Sequence, residues 1–278
     1  MDLVRIMSDA NPVIKLAREL ATPHGRKKRD LMVLEGLRAA ETVAGSGARV
    51  EAALFTVKAL KAARAQALAE SLGRMGVRLY ELPPELYAAA TQVEAPQGVA
   101  LLCAAPRLQL TDALLGAFVL IADRLQDPGN LGGLLRCAAA FGVDAVITTK
   151  GTAEAGNPKT LRAAAGAWPG LAVAEGVEPE RLAAELAARG FRVHVADPRG
   201  PVDVEAADWR GRVALIVGSE GHGPDARLMG GAARGVRIPM AAGSESLNVT
   251  AAAAVMLAAA ARQRADAAKT GGAAKNTA

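Results

Sequence analysis

Short apolar runs alternate with amphipathic stretches along most of this chain. In the first hundred residues the apolar runs are rich in β-branched and aliphatic residues, and the stretches between them have helical periodicity. Asn11 followed by Pro12 is a typical helix start. We assign strands to residues 31–34, 50–56, 77–82 and 98–102. The alternation predicts a small α/β domain over residues 1–104.

A second α/β segment follows a linker at about residues 104–116, where Pro106 and polar residues break the pattern. Its apolar runs are nearly continuous, which is typical of strands buried in a parallel sheet. We assign strands to residues 118–122, 145–149, 171–174, 192–196, 213–217 and 236–238, and helices to residues 131–141, 179–189 and 246–264. These elements predict a doubly wound α/β domain over residues 117–265. Residues 266–278 have nothing to bury and are predicted to form a disordered tail.

Composition excludes several classes of protein. The chain has 278 residues, of which 51% are hydrophobic, enough for a substantial core. Charged residues interrupt every apolar run before the ~18–20 residues that a membrane helix needs. The N-terminus has no apolar stretch of the kind found in secretion signals, so we expect a cytoplasmic protein. Cys103 and Cys137 give neither a disulfide framework nor zinc spacing, and we expect no metal.

Charge favours a polyanionic partner. The formal net charge is +5, and basic residues cluster after Pro23. We interpret this cluster as a cationic loop that binds RNA phosphates; an ordinary solvated turn is the alternative. The basic residues of this candidate loop are Arg26, Lys27, Lys28 and Arg29. Aromatic residues make up only 3% of the chain, so RNA recognition should depend on backbone and shape rather than on base stacking.

The first candidate site segment follows the strand at 118–122. Ligands of open α/β sheets bind where strands end and loops begin, so such transitions are the places to search. Here the loop from Asp127 to Asn130 reads Asp-Pro-Gly-Asn, a strong turn sequence in which Asn130 is able to cap the next helix. Arg136 lies six residues later on a helix that is otherwise apolar. Such an arginine usually extends to solvent or pairs with an acid, and contact with a ligand is the functional alternative.

Two further transitions lie nearer the C-terminus. The strand at 213–217 enters a loop with glycines at 218, 221 and 223, which would let backbone amides approach a ligand. Their order differs from the dinucleotide-binding fingerprint. The last transition, from Ile238 to Thr250, contains Ser246 and Asn248 before the final helix. Ser246 is either the N-cap of that helix or a polar ligand contact.

In their order along the chain and in their residues, these three transitions resemble the three motifs of the SpoU/TrmH family of RNA ribose methyltransferases. The resemblance covers residues 118–264 and includes Asn157, Pro158 and Lys159 and the stretch 162–166 between the first two motifs. The N-terminal part resembles the small substrate-binding domains that precede this catalytic domain, notably at residues 8–15 and 34–36.

The resemblance implies a trefoil-knotted catalytic domain, a homodimer and S-adenosylmethionine as the cofactor. It places the cofactor against Gly218, Glu220, Ile238, Met240, Ser246 and Leu247. It assigns catalysis to Arg136, Asn130, Glu220, Ser246 and Asn248. Each of these residue types is present at the matching position of this sequence.

The implied reaction transfers a methyl group to a ribose 2′-hydroxyl, which is a weak nucleophile that must lose its proton. A guanidinium has a pKa above about 12 and is a poor candidate for the base. Our hypothesis is that Arg136 binds the adjacent RNA phosphate and stabilises the developing 2′-oxyanion, while a phosphate or a water molecule accepts the proton.

Other functions stay open at this point. The tRNA enzymes of the resembling family tend to have only short N-terminal extensions, so the separate N-terminal domain favours ribosomal RNA over transfer RNA. The sequence does not identify the ribosomal subunit, and our expectation is the large one. A non-catalytic RNA-binding assembly factor with the same fold is a second alternative, although the retained motif residues argue against it. A nicotinamide-dependent oxidoreductase is disfavoured by the order of the glycines. Housekeeping modification and antibiotic resistance are equally compatible with the sequence.

Overall fold

The computed structural model describes residues 2–91, 96–104, 108–167, 170–219, 223–229, 233–241 and 246–273. They form two units. One comprises Met1–Pro106 with Glu154–Gly170, and the other comprises Arg107–Ala153 with Leu171–Ala278. Among the helices of this described part, none has the length and apolar character that a bilayer span requires.

The described elements alternate between strands and helices, as expected for α/β units. The strands are β1 (Leu3–Arg5), β2 (Leu31–Glu35), β3 (Val50–Thr56), β4 (Arg78–Leu82), β5 (Val99–Ala104), β6 (Phe118–Asp123), β7 (Ala145–Thr149), β8 (Ala172–Val177), β9 (Arg192–Ala196), β10 (Val202–Asp203), β11 (Val213–Gly218) and β12 (Arg234–Arg237). The helices are α1 (Pro12–Leu20), α2 (Pro23–Arg29), α3 (Leu37–Gly45), α4 (Ala63–Arg74), α5 (Pro84–Thr91), α6 (Leu110–Ala113), α7 (Pro128–Ala140), α8 (Pro158–Ala163), α9 (Pro179–Ala188) and α10 (Val249–Ala273).

The first unit is built on a five-stranded mixed sheet with the order β1-β4-β3-β5-β2. Strand β5 is antiparallel to both of its neighbours, and the other pairs are parallel. The four predicted strands are confirmed. Strand β1 was not predicted, because it is a three-residue edge strand and has no apolar run. Its Val4 is 49% exposed. Helix α1 begins as predicted, with the Asn11 side chain accepting a hydrogen bond from the Val13 amide.

A segment from the middle of the chain, Glu154–Gly170, folds with the first unit. The sequence had placed these residues in the second domain. Strand β2 is a sheet edge with four fully buried residues, and helix α8 packs against it. The carboxylate of Glu154 accepts hydrogen bonds from Arg26. Because both contacts join residues more than a hundred positions apart, no local pattern could have revealed them.

The second unit contains a seven-stranded sheet with the order β10-β12-β9-β11-β6-β7-β8, and all its strand pairs are parallel. The six predicted strands are confirmed, with end shifts of at most three residues. The two-residue strand β10 was missed because it is too short for any pattern. Strands β6, β7 and β11 are buried along almost their whole length, which explains their continuous apolar runs.

Helix α10 differs from prediction at both ends. It begins at Val249 and continues to Ala273, beyond the expected end near residue 264 and into the predicted disordered tail. Alanine has the highest helix propensity, so a helix of this composition continues after its burial ends. Several hydrogen bonds hold its middle to the unit, and two of them involve Trp209: Gln263 accepts from the Trp209 amide (3.1 Å), and Arg264 donates to the Trp209 carbonyl (3.0 Å).

His194, on strand β9, packs edge-on against Trp209 and is 2% exposed. Its Nε2 bonds the Asp208 carbonyl, and its Nδ1 has no hydrogen-bond partner among the described residues. Burial lowers the pKa of His194 below its ordinary value of 6.5, an effect that the nearby Arg192 and Arg234 reinforce and that Asp208 opposes. The folded state therefore keeps this imidazole neutral at pH values where the unfolded chain binds a proton.

We expect the free energy of unfolding to decrease as the pH falls below about 6.5, toward the lower folded-state pKa of His194. Urea unfolding at pH 7.5 and 5.5 measures this effect. Replacement of His194 with glutamine should flatten the dependence, whereas the same replacement at the exposed His24 should leave it unchanged. Equal slopes in wild type and the His194 variant would contradict this interpretation.

Candidate functional site

The carboxyl ends of β9, β11 and β12 and the start of α10 surround a cavity of about 540 Å³. A volume of this size is within the range of ordinary ligand pockets, about 300–1,000 Å³. Five of the six residues predicted to bind the cofactor line this cavity: Gly218, Ile238, Met240, Ser246 and Leu247. The sixth, Glu220, lies outside the described residues. Two of the three sequence transitions, the one at Gly218 and the one that begins at Ile238, therefore contribute to one pocket.

Gly218 ends strand β11 at a point where another part of the chain passes very close. A Cβ at this position would lie 2.5 Å from the Pro224 nitrogen and 2.7 Å from the Gly223 carbonyl carbon, both backbone atoms. Ser219 and Gly223 are also joined directly, since the Gly223 amide donates to the Ser219 carbonyl at 2.9 Å. Glycine is required here by the close backbone approach, and this approach forms one wall of the cavity.

The first motif forms the start of helix α7. Asp127 is the N-cap, and its carboxylate accepts a hydrogen bond from the Asn130 amide at 2.7 Å. The prediction that Asn130 caps this helix is thus wrong. A carboxylate satisfies a helix-start amide at least as well as an amide oxygen does, and Pro128 fits the first helical position. The N-cap of α7 is therefore Asp127 and not Asn130.

Asn130 and Asn248, predicted as catalytic from two different motifs, are in direct contact. The Asn248 side-chain amide donates to Asn130 Oδ1 at 3.0 Å, and the Thr250 hydroxyl donates to the Asn130 carbonyl at 3.3 Å. The Asn248 side-chain oxygen accepts from the Thr250 amide at 2.9 Å. Asn248 is therefore the N-cap of α10, and the reading of Ser246 as that cap is wrong. Ser246 is exposed at the cavity instead.

Helices α7 and α10 cross closely beside this pair of asparagines. A Cβ on Gly133 would lie 2.7 Å from the Thr250 methyl group, so the crossing needs glycine. Thr250 is β-branched and has little freedom to move away. This packing fixes the start of α10 relative to the first motif, and it brings the asparagines together.

Arg136 lies on the same helix as Asn130, about 9 Å further along the axis at ~1.5 Å per residue. Its side chain is exposed, and within the described part of the chain it forms neither an ion pair nor a hydrogen bond. The alternative that Arg136 pairs with an acid of this chain thus finds no support among these residues. An exposed, unpaired guanidinium is available for an anionic ligand.

The cavity also contains polar residues that the sequence did not single out. Asp197 and Arg199 line it immediately after strand β9, and Asp197 Oδ1 accepts from the Arg199 amide at 2.9 Å. The rule that ligands bind at the carboxyl ends of strands applied to β9 as much as to β11, so this loop could have been found. Met256, on α10, contributes apolar wall but had no recognisable signal within an alanine-rich helix.

The predicted cationic loop is a helix, α2, which the Thr22 side chain caps. Arg26 is 3% exposed; its guanidinium donates to Glu154 and to the carbonyls of Leu20 and Ala21, so it is unavailable to RNA. Its assignment as an RNA contact is corrected for this reason. Lys28 and Arg29 are exposed but pair with Glu19.

Lys27 is exposed, and the described residues provide it with no ion-pair partner. We expect Arg26→Ala to lower the free energy of unfolding by about 1.5–3 kcal/mol, the range for hydrogen bonds to charged groups. Lys27→Ala should leave it within about 0.5 kcal/mol of wild type. Urea unfolding compares the two variants. A stable Arg26→Ala protein would show that the Glu154 pair contributes little.

Comparison with known proteins gives two family matches. Residues 117–258 match the SpoU rRNA Methylase family, and residues 11–101 match the MRM3-like substrate binding domain. Similar curated proteins include the 23S rRNA (guanosine(2553)-2′-O)-methyltransferase RlmP of Bacillus subtilis, 33% identical over 91% of this chain and 97% of the relative. Another is the 23S rRNA (guanosine-2′-O-)-methyltransferase RlmB of Xylella fastidiosa, 39% identical over 60% of this chain and 71% of the relative. Among solved structures, an rRNA methyltransferase from Sinorhizobium meliloti superposes with a TM-score of 0.83 at 25% identity and covers 95% of this chain and 99% of that one.

Proposed function

Because this chain belongs to the SpoU rRNA methylase family, we propose that it transfers the methyl group of S-adenosylmethionine to a ribose 2′-hydroxyl of large-subunit ribosomal RNA. The observation that supports this proposal most directly is the convergence of the three motifs. Residues of the second and third motifs line one cavity, and the third motif contacts the first through the hydrogen bond between Asn248 and Asn130.

The cavity fits S-adenosylmethionine in size and in chemistry. Its walls include apolar side chains such as Ile238 and Leu247, suited to an adenine ring, and backbone groups of the glycine-rich loop, suited to the polar edges of a nucleoside. Asp197 provides a carboxylate and Arg199 a guanidinium, which complement an ammonium group and a carboxylate of the cofactor's amino-acid end. When bound, S-adenosylmethionine supplies an electrophilic methyl group on a sulfonium.

The residues of this chain then position the RNA and assist loss of the proton. Arg136 binds the phosphate next to the target ribose and stabilises the negative charge that develops on the 2′-oxygen. The carbon–oxygen bond forms as the carbon–sulfur bond breaks, and the hydroxyl proton passes to a phosphate oxygen or to water. Asn130 and Asn248 orient the ribose, and Ser246 is a further polar contact at the cavity mouth. Glu220 is proposed from the motif alone.

Ribosomal rather than transfer RNA is favoured by the relatives and by the first unit. Both curated relatives described above are named as 23S rRNA enzymes, and the N-terminal match is to a substrate-binding domain. In α2 of this unit, Lys27, Lys28 and Arg29 are exposed and remain the proposed RNA contacts. Ion pairs with Glu19 at the surface are weak, so a phosphate can replace that carboxylate.

We further propose a homodimer in the cytoplasm and a trefoil knot in the second unit. Helices α7 and α10 pack together and expose small apolar residues, including Ala139, Ala140, Ala251 and Val255. Small side chains let the helices of a second copy approach closely. Sedimentation equilibrium measures the oligomeric state directly.

The function is tested by incubating the protein with tritiated S-adenosylmethionine and unmodified, in vitro transcribed large-subunit rRNA, followed by alkaline hydrolysis. Label in alkali-resistant dinucleotides is expected, because a 2′-O-methyl group blocks cleavage of the adjacent bond. Label only on transfer RNA in a parallel reaction would favour the tRNA alternative. Absence of S-adenosylmethionine binding in calorimetry would favour a non-catalytic RNA-binding factor.

A further inference from the structure

Asp123 is a fully buried carboxylate at the carboxyl end of strand β6, with 0% exposure. It does not line the cavity, and the mechanism above gives it no role. Burial of a carboxylate is costly unless its oxygens are hydrogen-bonded, so its presence needs a reason. We infer that Asp123 is a positioning residue: it holds the loop that forms the wall of the cofactor cavity at Gly223 and Pro224.

The hydrogen bonds of Asp123 join three separate segments. Its Oδ1 accepts from the Thr149 hydroxyl at the end of β7, at 2.6 Å. Its Oδ2 accepts from the Asp225 amide at 2.8 Å and from Arg124 Nε at 3.1 Å. Asp225 follows directly after Pro224, which lines the cavity. The carboxylate therefore fixes the backbone one residue beyond the cavity wall.

Arg124 makes a second connection to the same loop. Its Nη2 donates to the Gly223 carbonyl at 3.1 Å, and Gly223 also lines the cavity. The Arg124 backbone has a φ of 51°, a left-handed conformation that is unfavourable for a non-glycine residue. The Arg124 amide donates to the Thr149 hydroxyl at 3.2 Å, which helps to hold this conformation. Strain that is retained by surrounding contacts is typical of functional sites.

The loop at Gly223 and Pro224 is also held from its C-terminal side, through the side chain of Asp225. The Asp225 carboxylate accepts from Arg227 at 2.8 Å and 2.7 Å, and Arg227 in turn donates to Glu180 at 2.6 Å. These hydrogen bonds from Arg227 hold the pKa of Asp225 far below its usual range, so this carboxylate is ionised at any physiological pH. The bonds to Arg227 therefore fix Asp225 in the position from which its backbone amide donates to Asp123.

The arrangement matters for the cofactor because Pro224 also touches Gly218. A Cβ on Gly218 would lie 2.5 Å from the Pro224 nitrogen, so the backbone at Gly218 packs closely against Pro224. A shift of residues 223–225 would therefore disturb the cavity wall both at Pro224 and at Gly218. Release of Asp123 should thus weaken cofactor binding although no atom of Asp123 reaches the cavity. This inference rests on the proposed function, since it assumes that the cavity binds S-adenosylmethionine.

The test is the dissociation constant for S-adenosylmethionine, measured by calorimetry well below the melting temperature. Asp123→Asn should raise it by about tenfold, the equivalent of ~1.4 kcal/mol, as expected for loss of a charge-assisted hydrogen bond. The matched control is Asp144→Asn. Asp144 lies at the opposite end of β6, where its Oδ2 accepts from the amides of Ala117 (2.7 Å) and Phe118 (2.8 Å). This control should lose stability but keep wild-type affinity.

A second pair of variants covers the case in which Asp123→Asn does not fold. Thr149→Val removes one donor to Asp123 with little change of shape, and Thr149→Ser retains the hydroxyl. We expect about a fivefold increase in the dissociation constant for the valine variant, from a net ~1 kcal/mol per hydrogen bond, and wild-type affinity for the serine variant. In steady state the KM for S-adenosylmethionine should rise and the KM for RNA should stay constant.

Wild-type affinity in a folded Asp123→Asn protein would overturn the inference while leaving the proposed function intact. Where Asp123→Asn does not fold, wild-type affinity in Thr149→Val would overturn it in the same way. Equal weakening in Asp144→Asn would also overturn it, because a general loss of stability would then explain the effect. Absence of binding by the wild-type protein would overturn the proposed function, and this inference with it.

Discussion

Replacement of Arg136 with alanine should lower the rate of methyl transfer to rRNA by about 10²–10³-fold, the usual cost of removing one preorganised group that stabilises charge in the transition state. The structure gives the reason. Arg136 is exposed on α7 beside the motif that contains Asn130, and among the described residues it has no acidic partner. Its charge is therefore available to the RNA. Because it does not line the cavity, cofactor affinity should stay at the wild-type value.

The control variants separate charge from position. Arg136→Lys keeps the charge but loses the planar fork, so we expect partial activity. Arg181→Ala removes another exposed arginine of the same unit, on α9, and should leave the rate unchanged. The measurement is transfer of tritiated methyl to unmodified rRNA, with binding of S-adenosylmethionine determined by calorimetry. A wild-type rate in Arg136→Ala would show that the proposed role is wrong, and lost cofactor binding would show that the residue acts indirectly.

The positions of the strands could be predicted from the sequence because each buried strand has its own apolar run. Strands β3, β7 and β9 begin and end at the predicted residues. The loops around the cavity could be predicted for a related reason. Ligand loops follow the carboxyl ends of strands, so the loops that contain Gly218 and Ile238 are found once their strands are found. The individual cofactor residues within these loops were implied by the resemblance to the SpoU/TrmH motifs.

Contacts between distant residues could not be predicted. Arg26 looked like part of a surface cluster because its neighbours in sequence are basic, and only the fold reveals Glu154, 128 positions away, as its partner. The capping residues were wrong for a similar reason. Ser246 and Asn248 are both good N-caps, and the choice depends on where α10 meets α7. Asp123 gave no signal at all, since a single acid after a strand is common.

The glycine at position 218 leads to the last prediction. Gly218→Ala should raise the dissociation constant for S-adenosylmethionine by about 10–100-fold, because overpacking of this kind costs about 1–3 kcal/mol and each ~1.4 kcal/mol is a factor of ten. The added methyl would lie 2.5 Å from the Pro224 nitrogen. A neighbouring side chain could rotate away from this methyl group, but the backbone atoms of Gly223 and Pro224 cannot. The loop at Gly223 and Pro224 must move, and with it the wall of the cavity.

Calorimetry with S-adenosylmethionine measures the loss, and Gly45→Ala is the matched control. At Gly45, which ends helix α3, an added Cβ has no neighbour within 4 Å, so the same substitution should leave affinity unchanged. Comparable affinity in wild type and Gly218→Ala would mean that the loop adjusts without cost, which would also weaken the case for Asp123 as its anchor. Reduced affinity in both Gly218→Ala and Asp123→Asn would instead indicate that the position of the loop at Gly223 and Pro224 determines the affinity of the cavity for its cofactor.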